Sequence, residues 1–410
     1  MRIWLGVFLG LLLVPLVMGV AYVDAASVSG RSSTVLEWFD DSEGDTALPA
    51  YQYLQLKIKD IGAEGYNFKL YGRLADDINN EVDIDSRLYY AYIENKEVFN
   101  GLGFRLGRQF ISTTAGASMM DGLSLNYAFN KNYKARVYGG GDVTYYEDYD
   151  IEDLIAGIEL SGEFLEGDLV TEVSYLQKWD DGLLAKDLVG FNVDYDLGKN
   201  LWFYNELQYD VLSERFSYVL LGGKYRFNKP LTLRTEYLYS LPVFSSTSIY
   251  SVFAVEEYEE VMAELTWKKS RDIHIFGRYT RELYQEFSDA NVFEIGIEKL
   301  RTGKYSGYIV GTIRDDSDGQ NLYGAKAYAA YKFMAKLRAG LGIHIDVLER
   351  DIAYFNTDDN DQNETTSTRV WVDAKYDLNK KMNLKAKYEY IESDLWDYYN
   401  RGTIRLNVLF

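Results

Sequence analysis

YYNRGTIRLNVLF, the final stretch of the chain at Tyr398–Phe410, decides the fold. Apolar residues (Ile404, Leu406 and Val408) alternate in it with polar ones such as Arg405. Because successive side chains of a β-strand point to opposite sides, this alternation predicts a strand with one apolar and one polar face. A soluble β-sandwich could end in the same way, so the rest of the chain has to decide between the two.

The same alternation recurs along almost the whole chain, in short segments separated by turn residues. This is the pattern of strands that expose each face to a different environment. We count about 22 strands, within a range of about 20 to 24, because strand boundaries are hard to place from sequence. The predicted strands are 27–39, 51–59, 66–74, 87–94, 102–111, 122–129, 132–141, 154–160, 169–178, 187–195, 201–209, 216–227, 231–239, 257–268, 273–281, 291–300, 305–314, 323–331, 335–347, 368–378, 382–391 and 398–410.

The connections between these strands fall into two alternating sets. One set is short and often basic or turn-forming, as at 130–132 and 379–381, and the other is longer and acidic, as at 76–85 and 349–364. An even strand number with both chain ends on one side is the architecture of outer-membrane barrels. We therefore predict an all-β, transmembrane, antiparallel up-and-down β-barrel without a plug domain. A soluble all-β repeat protein is the alternative.

The first 25 residues read as a cleaved secretory signal peptide. Met1 and Arg2 precede an apolar run at 3–20, and 23–25 offers a small-residue cleavage site. An uncleaved membrane anchor is the other interpretation. The predicted organisation is therefore a signal peptide at 1–25 and a barrel at 26–410.

Composition excludes several function classes. The chain has no Cys, which excludes disulfides, thiolate metal sites and haem attachment through a CxxCH motif. The formal net charge of −20 argues against nucleic-acid binding. Tyr is abundant (37 residues) and Trp adds 7, which suits the two lipid–water interfaces of a barrel.

The alternating terminal strand and its final Phe410 resemble the closing strand of bacterial outer-membrane β-barrels. The resemblance implies that Ile404, Leu406, Val408 and Phe410 form a signal for the barrel-insertion machinery. It also implies a barrel in the cell outer membrane of a Gram-negative bacterium, with both termini in the periplasm. Lipid and lipopolysaccharide would surround it.

The segment FRLGRQFISTTAGASMMDGLSLNY at Phe104–Tyr127 resembles a segment of Gram-negative porins. In those proteins, the loop that follows such a strand can fold inward and narrow the pore. The predicted loop here, 112–120, is short, so we expect little constriction.

The polar faces of the strands supply the candidate functional residues. Inward cations outnumber inward acids in this reading, which predicts a mild preference for anionic contents. The lumen-facing candidates are Lys69, Arg73, Arg234, Arg338, Arg369, Lys375, Lys385 and Arg405.

Catalytic and metal chemistry find little support. His344 and Asp346 are i, i+2 neighbours on one predicted strand, which permits contact but supplies no nucleophile, and His274 lies beside Arg278 on another. The TDDND motif at 357–361 resembles only the start of a calcium loop. We predict no catalytic residues, no metal site and no cofactor bound by this chain.

A wide barrel without a plug resembles the smaller porin-like sheath of porin–cytochrome electron conduits. That resemblance implies periplasmic and outer-surface multihaem cytochromes as partners, which would bring the haem. The larger sheaths often carry an N-terminal CxxC, which this chain lacks. The alternative is a diffusion porin, either general or anion-leaning, and an outer-membrane hydrolase is a remote third.

Overall fold

The computed structural model describes residues 27–40, 44–62, 65–144, 150–242, 257–285, 288–316, 321–349, 364–394 and 396–410. The predicted signal peptide and the 357–361 motif lie outside these residues. Within the described ranges no helix is long and apolar enough to cross a membrane.

The described chain consists of 22 long strands and short connections. A two-residue segment, Thr46–Ala47, pairs with the end of the first strand, and a 3-10 turn at Leu165–Gly167 joins two strands. The strands are β1 Ser27–Asp40, β2 Pro49–Ile61, β3 Tyr66–Asp77, β4 Arg87–Phe99, β5 Leu102–Thr113, β6 Gly116–Ala128, β7 Tyr133–Val143, β8 Leu154–Phe164, β9 Leu169–Asp180, β10 Leu183–Leu197, β11 Leu201–Asp210, β12 Arg215–Arg226, β13 Leu231–Ser240, β14 Tyr258–Lys268, β15 Ile273–Tyr284, β16 Ala290–Lys299, β17 Tyr305–Asp316, β18 Leu322–Lys332, β19 Leu337–Glu349, β20 Glu364–Asp377, β21 Met382–Ser393 and β22 Trp396–Leu409.

Each strand pairs antiparallel with its neighbours in sequence, and the first strand also pairs with the last. At this seam Thr34 of β1 lies opposite Leu406 of β22. The backbone N–H and C=O of Phe410 both bond to Gly30, at 3.1 and 3.0 Å. The sheet is therefore a closed barrel of 22 strands, as the alternation predicted.

The two faces of the wall differ in chemistry along the strands. Leu160, Val173 and Phe191 lie opposite one another on β8, β9 and β10, and their side chains are 48%, 46% and 38% exposed. The other face carries the ion pairs, such as Arg136 with Glu159. The large apolar side chains of this wall therefore stand on the outside rather than in a core, which is the arrangement that a lipid-facing barrel requires.

The short connections are held by local polar contacts. In the turn between β14 and β15, Lys299 and the Ser270 hydroxyl lower the pKa of Asp272 to about 2. Asp272 therefore stays ionised at all ordinary pH values and keeps its partner Lys299 at the end of β16. The residues at 301–304, 334–336 and 378–381 likewise form bends or turns.

Three local predictions are wrong. The predicted loop at 112–120 is mostly strand, because β5 runs to Thr113 and β6 begins at Gly116. The connection between the predicted strands 169–178 and 187–195 belongs to the set predicted to be longer and acidic. It is a tight turn, since β9 ends at Asp180 and β10 begins at Leu183. The strand predicted from residue 335 begins at Leu337.

Candidate functional site: an inward hairpin and the wall it faces

The tip of the β5–β6 hairpin lies against the inner wall of the barrel, several strands from its own base. The N–H of Thr114 donates to Glu172 Oε1 (3.0 Å), and the N–H of Ala115 donates to Ser174 Oγ (2.8 Å). The Gln208 amide donates to the carbonyl oxygen of Ala115 (2.8 Å). Glu172 and Ser174 belong to β9 and Gln208 to β11, so the hairpin crosses in front of β7 and β8.

An apolar cluster holds the hairpin against the wall. Ile111 and Met120 of the hairpin are fully buried, although both lie near its tip. Burial of two such side chains contributes about 1.5–3 kcal/mol each. The wall side of the cluster comes from β7, β8, β9 and β10, at positions that would otherwise line water. Its members are Ile111, Ala115, Met120, Tyr138, Ile155, Leu176 and Leu188.

Glycines allow the hairpin to bend and dock. Gly107 of β5 has φ +121°, a conformation that L side chains rarely adopt. A Cβ at Gly122 or Gly140 would collide with the backbone of the facing strand, and one at Gly190 would collide with the backbone of Ala115. The glycines therefore let β5, β6 and β7 bend and approach each other closely. The tip of the hairpin rests directly on the backbone of β10.

An ion pair closes the base of the bent hairpin. Arg108 donates twice to Asp121, from Nε to Oδ1 (2.8 Å) and from Nη2 to Oδ2 (2.6 Å). A bidentate pair of this kind fixes both distance and orientation. These two residues stand in the segment that resembles porins, and the sequence motif did not reveal that they contact each other.

Most inward cations are neutralised by inward acids on the same strand or on strands one or two positions away. Such pairs cancel much of the basic excess that the sequence suggests. The pairs include Lys69–Glu94 (2.7 Å), Lys178–Asp142 (2.6 Å), Arg234–Glu236 (2.6 Å), Arg278–Glu264 (2.6 Å), Arg314–Glu282 (3.0 Å) and Arg369–Glu389 (2.5 Å).

One group of cations departs from this pattern. Arg338, Lys375, Lys385 and Arg405 lie directly opposite one another on β19, β20, β21 and β22, and we call them the cationic row. Lys375 pairs with Asp377 (2.8 Å). Like charges placed directly opposite destabilise a sheet, so a row of four marks a place where anions are attracted.

The members of the cationic row differ in their contacts. Arg338 bonds to Ser306, and the Arg405 guanidinium lies 5.7 Å from the ring centre of Tyr53. Within the described part of the chain, neither Lys385 nor Arg405 has a carboxylate at ion-pairing distance. These two residues leave the row with uncompensated positive charge.

The remaining predicted lumen residues also point to the polar face. Arg73 lies 5.2 Å from the ring centre of Tyr51 and donates to the carbonyl oxygen of Asp85 (3.2 Å). Lys336 lies in the turn before β19 and donates to the carbonyl oxygen of Leu378 (3.2 Å). The structure thus brings four of the eight candidates together and disperses the other four.

The hairpin and the cationic row face each other across the barrel. The tip of the hairpin is fixed to β9, β10 and β11, and β20 lies eleven strands from β9 in a ring of 22. Half a circumference separates them. A solute passing through the bore therefore has the hairpin on one side and the β18–β22 wall on the other.

The histidines show no catalytic arrangement in the described residues. His344 Nε2 lies 3.0 Å from Asp346 Oδ2, as the spacing allowed. No serine or threonine hydroxyl bonds to this imidazole within the described ranges. His274 lies opposite Lys268 and Glu298 on neighbouring strands.

The acidic groups at the connections also carry no assigned chemistry. Carboxylate oxygens of Asp153, Asp180 and Asp181 lie within 4.8 Å of one another. The N–H of Asp181 donates to Asp153 (3.0 Å), which explains part of their proximity. Asp153 and Asp180 are half-buried and Asp181 is exposed, and acidic groups at a protein surface commonly lie this close together without binding an ion.

Comparison with known proteins gives structural likeness only. The chain matches no protein-family model and no curated protein. Among solved structures it is similar to OccAB2 of Acinetobacter baumannii, at 12% identity and a TM-score of 0.47, covering 95% of this chain and 99% of that one. It is also similar to OpdQ of Pseudomonas aeruginosa, at 9% identity and a TM-score of 0.43, with 95% and 99% covered. Identities this low say nothing about function.

Proposed function

We propose that this chain forms a water-filled channel across the bacterial outer membrane, used by small polar solutes and leaning towards anions. The inward hairpin is the observation that carries the proposal. It is anchored by three hydrogen bonds and an apolar cluster, so it occupies part of the lumen permanently. A narrowed bore suits selection among small solutes.

The width of the passage follows from sheet geometry. Twenty-two strands spaced ~4.8 Å apart enclose a circle of roughly 34 Å between backbones, and more once the strands tilt. Lining side chains remove ~5 Å on each side, and a second layer at ~10 Å removes as much again on the side of the hairpin. A passage of roughly 15 Å is left, which admits sugars, amino acids and small organic anions.

The membrane assignment rests on the outward apolar side chains. They recur on strands all around the barrel, and Ile309 and Ile295, for example, are 63% and 68% exposed. Such a continuous apolar surface is unfavourable in water, whereas the hydrocarbon core of a membrane favours it. Outer-membrane lipid, lipopolysaccharide and the barrel-insertion machinery are the partners that this proposal implies.

Reconstitution of the purified barrel into planar bilayers tests the proposal. We expect steady single-channel currents and a permeability ratio of chloride to potassium above one, because Lys385 and Arg405 are uncompensated. Liposome swelling should show entry of monosaccharides and exclusion of polymers much wider than the ~15 Å passage. A barrel that inserts but passes neither ions nor monosaccharides would contradict the proposal.

An electron-conduit sheath is the second candidate. The width of the barrel favours it, because no described segment covers the inner wall from β12 to β22. In that case a multihaem cytochrome would occupy the lumen and supply the haem. Affinity purification in mild detergent followed by haem staining tests this candidate, and a haem-free preparation with steady channel currents would exclude it.

The orientation is open to direct labelling. The chain has no Cys, so a single introduced thiol gives an unambiguous signal. We assign the long acidic connections to the cell exterior. We therefore expect Asp83→Cys, at an exposed position in one of them, to react with an impermeant maleimide on intact cells and Lys380→Cys to react only after cell disruption. The opposite labelling pattern would reverse the orientation.

Insertion should depend on the outward face of β22. Ile404 is 41% exposed and Leu406 lies on the same face. Replacing both by Asp should abolish the heat-modifiable, folded band on gels, because charged side chains on the lipid-facing side destabilise a barrel. The cost is about 2–4 kcal/mol for Arg or Lys at the bilayer midplane and less for each Asp. Thr403→Asp, on the inward face of the same strand, is the matched control and should leave that band in place.

A further inference from the structure

We propose that the inner wall binds pyranose sugars on a flat aromatic surface formed by Tyr328 of β18 and Trp371 of β20. The inference rests on the proposed channel function and deepens it by naming a class of solute. It comes from the geometry of the two rings and from the polar groups around them.

The two rings are nearly parallel. Their planes differ by 8° and their centres lie 6.2 Å apart. Tyr308 of β17 extends the surface, with its ring centre 5.8 Å from that of Tyr328 and an angle of 28°. We call these three residues the aromatic platform. Three ring centres spaced 6.2 and 5.8 Å apart give a surface long enough for two linked pyranose rings.

Glycines keep the platform flat against the wall. A Cβ at Gly340 would collide with the ring of Tyr328, and one at Gly342 would collide with the indole of Trp371. The rings therefore lie over bare backbone and turn their other faces towards the lumen.

Covering a glycine does not by itself imply binding. Tyr204 covers Gly222 and Phe276 covers Gly296 elsewhere on the inner wall. Those rings protect the exposed backbone of their strands and stand on separate strand pairs. The aromatic platform differs because two such rings lie next to each other with nearly parallel planes and a third ring adjoins them.

The rim of the platform carries both donors and acceptors. Arg369 and Lys387 lie 5.8 and 6.0 Å from the ring centre of Trp371, and both pair with Glu389. The Tyr328 hydroxyl donates to Asp373 (2.8 Å). Lys326 lies 5.7 Å from the ring centre of Tyr308. Three cations and two carboxylates thus surround the rings, and the two cations at Trp371 are held by Glu389.

A pyranose fits this combination best. The C–H groups on one face of a sugar ring pack on an aromatic face, and its hydroxyl groups both donate and accept hydrogen bonds. A flat aromatic anion would also stack on the rings, but Arg369 and Lys387 beside Trp371 already pair with Glu389. The mixture of donors and acceptors around the rings therefore favours a polyhydroxylated ring.

The platform also lies where solutes pass. It stands on β17, β18 and β20, which lie seven to ten strands from β10 in the ring of 22, and it shares β20 with the cationic row. The hairpin narrows the bore from the opposite side, which brings a permeating solute towards the platform.

Saturation-transfer NMR on the full-length barrel in detergent micelles tests this inference, with maltose as the probe and acyclic sorbitol as the comparison. We expect saturation of the maltose ring protons and a much weaker signal for sorbitol. Trp371→Leu should weaken maltose binding about fivefold or more, in line with the stacking energy of an aromatic group. Phe276→Leu, which removes an isolated ring over a glycine, is the matched control and should leave binding unchanged.

The outcomes separate this inference from the channel function. Equal signals for maltose and sorbitol, or unchanged binding in Trp371→Leu, would overturn the sugar site while channel currents from the same preparation uphold the channel. Binding of benzoate in place of maltose would also overturn it, in favour of an aromatic anion. If Trp371→Leu fails to give a heat-modifiable folded band, Tyr328→Leu tests the same surface. Absence of channel currents would overturn the channel itself.

Discussion

A channel carrying Ile111→Asp and Met120→Asp is expected to conduct about twice as much current as the unmodified channel, or more, because the hairpin no longer stays on the wall and frees a layer ~10 Å thick. Both side chains are fully buried in the apolar cluster. Each introduced carboxylate would be buried without a partner, which costs more than the docking contacts supply. Single-channel recording in planar bilayers measures the effect.

Two further variants identify the cause of that change. Phe110→Asp places a carboxylate on the outward face of the same hairpin, where the side chain is 52% exposed, and should leave the conductance unchanged if the protein inserts. Gln208→Ala removes the hydrogen bond to the carbonyl oxygen of Ala115 and the one that Gln208 accepts from Ser217. Each is worth about 1 kcal/mol, so this variant should cause brief additional openings. Unchanged conductance in the double Asp variant would show that the hairpin does not set the width of the passage.

Charge reversal in the cationic row is expected to change the channel from anion-preferring to cation-preferring. With Lys385→Glu and Arg405→Glu, the chloride-to-potassium permeability ratio should fall about threefold or more, from above one to below one, because charges that line a confined pore set the local ion concentrations. The reversal potential under a salt gradient reports this ratio. The shift should shrink at high salt, where the Debye length falls to ~3 Å at 1 M.

A charge-neutral control accompanies the reversal. Arg234→Gln with Glu236→Gln removes both partners of an ion pair (2.6 Å) on the inner wall and leaves the net charge unchanged. We expect the same reversal potential as in the unmodified channel. An equal shift in this control would mean that the ion preference comes from pore shape and not from the cationic row.

The strand pattern was predictable because it depends only on residue alternation. Apolar residues lie on the outward face of every strand, so each strand can be recognised in the sequence by its alternation. The strand number inferred from this signal is confirmed by the 22 strands observed. Boundaries were less accurate where the polar pattern continues beyond the lipid-facing part, as in β6, which begins at Gly116 and not at 122.

The inward hairpin could not be derived from alternation. Ile111, Met120, Leu176 and Leu188 are apolar residues at inward positions, which alternation alone cannot separate from irregularities at strand ends. Their contact depends on a bend at Gly107 and on strands far apart in sequence. The resemblance to porins pointed to this segment, but the short predicted loop led us to expect little constriction, because the bend lies in the strands themselves.

The cationic row and the aromatic platform could not be predicted from the sequence for a different reason. Each member was visible as an inward residue, but which residues lie opposite one another depends on the register of four or five strands. A shift of two residues in one strand would place Lys385 beside Asp373 instead of Lys375. Register is set by pairing along the whole strand, and single-residue patterns do not report it.

The seam between β1 and β22 has a consequence for the order of folding. Every other pairing in the barrel joins strands that follow one another in the chain, so those contacts form between near neighbours and cost little loop entropy. The seam alone joins residues as far apart as Arg31 and Leu409. Until it forms, two long unpaired edges remain, and such edges invite pairing with other chains. Ring closure is therefore the last and slowest event of assembly, and the bonds between Gly30 and Phe410 lock it.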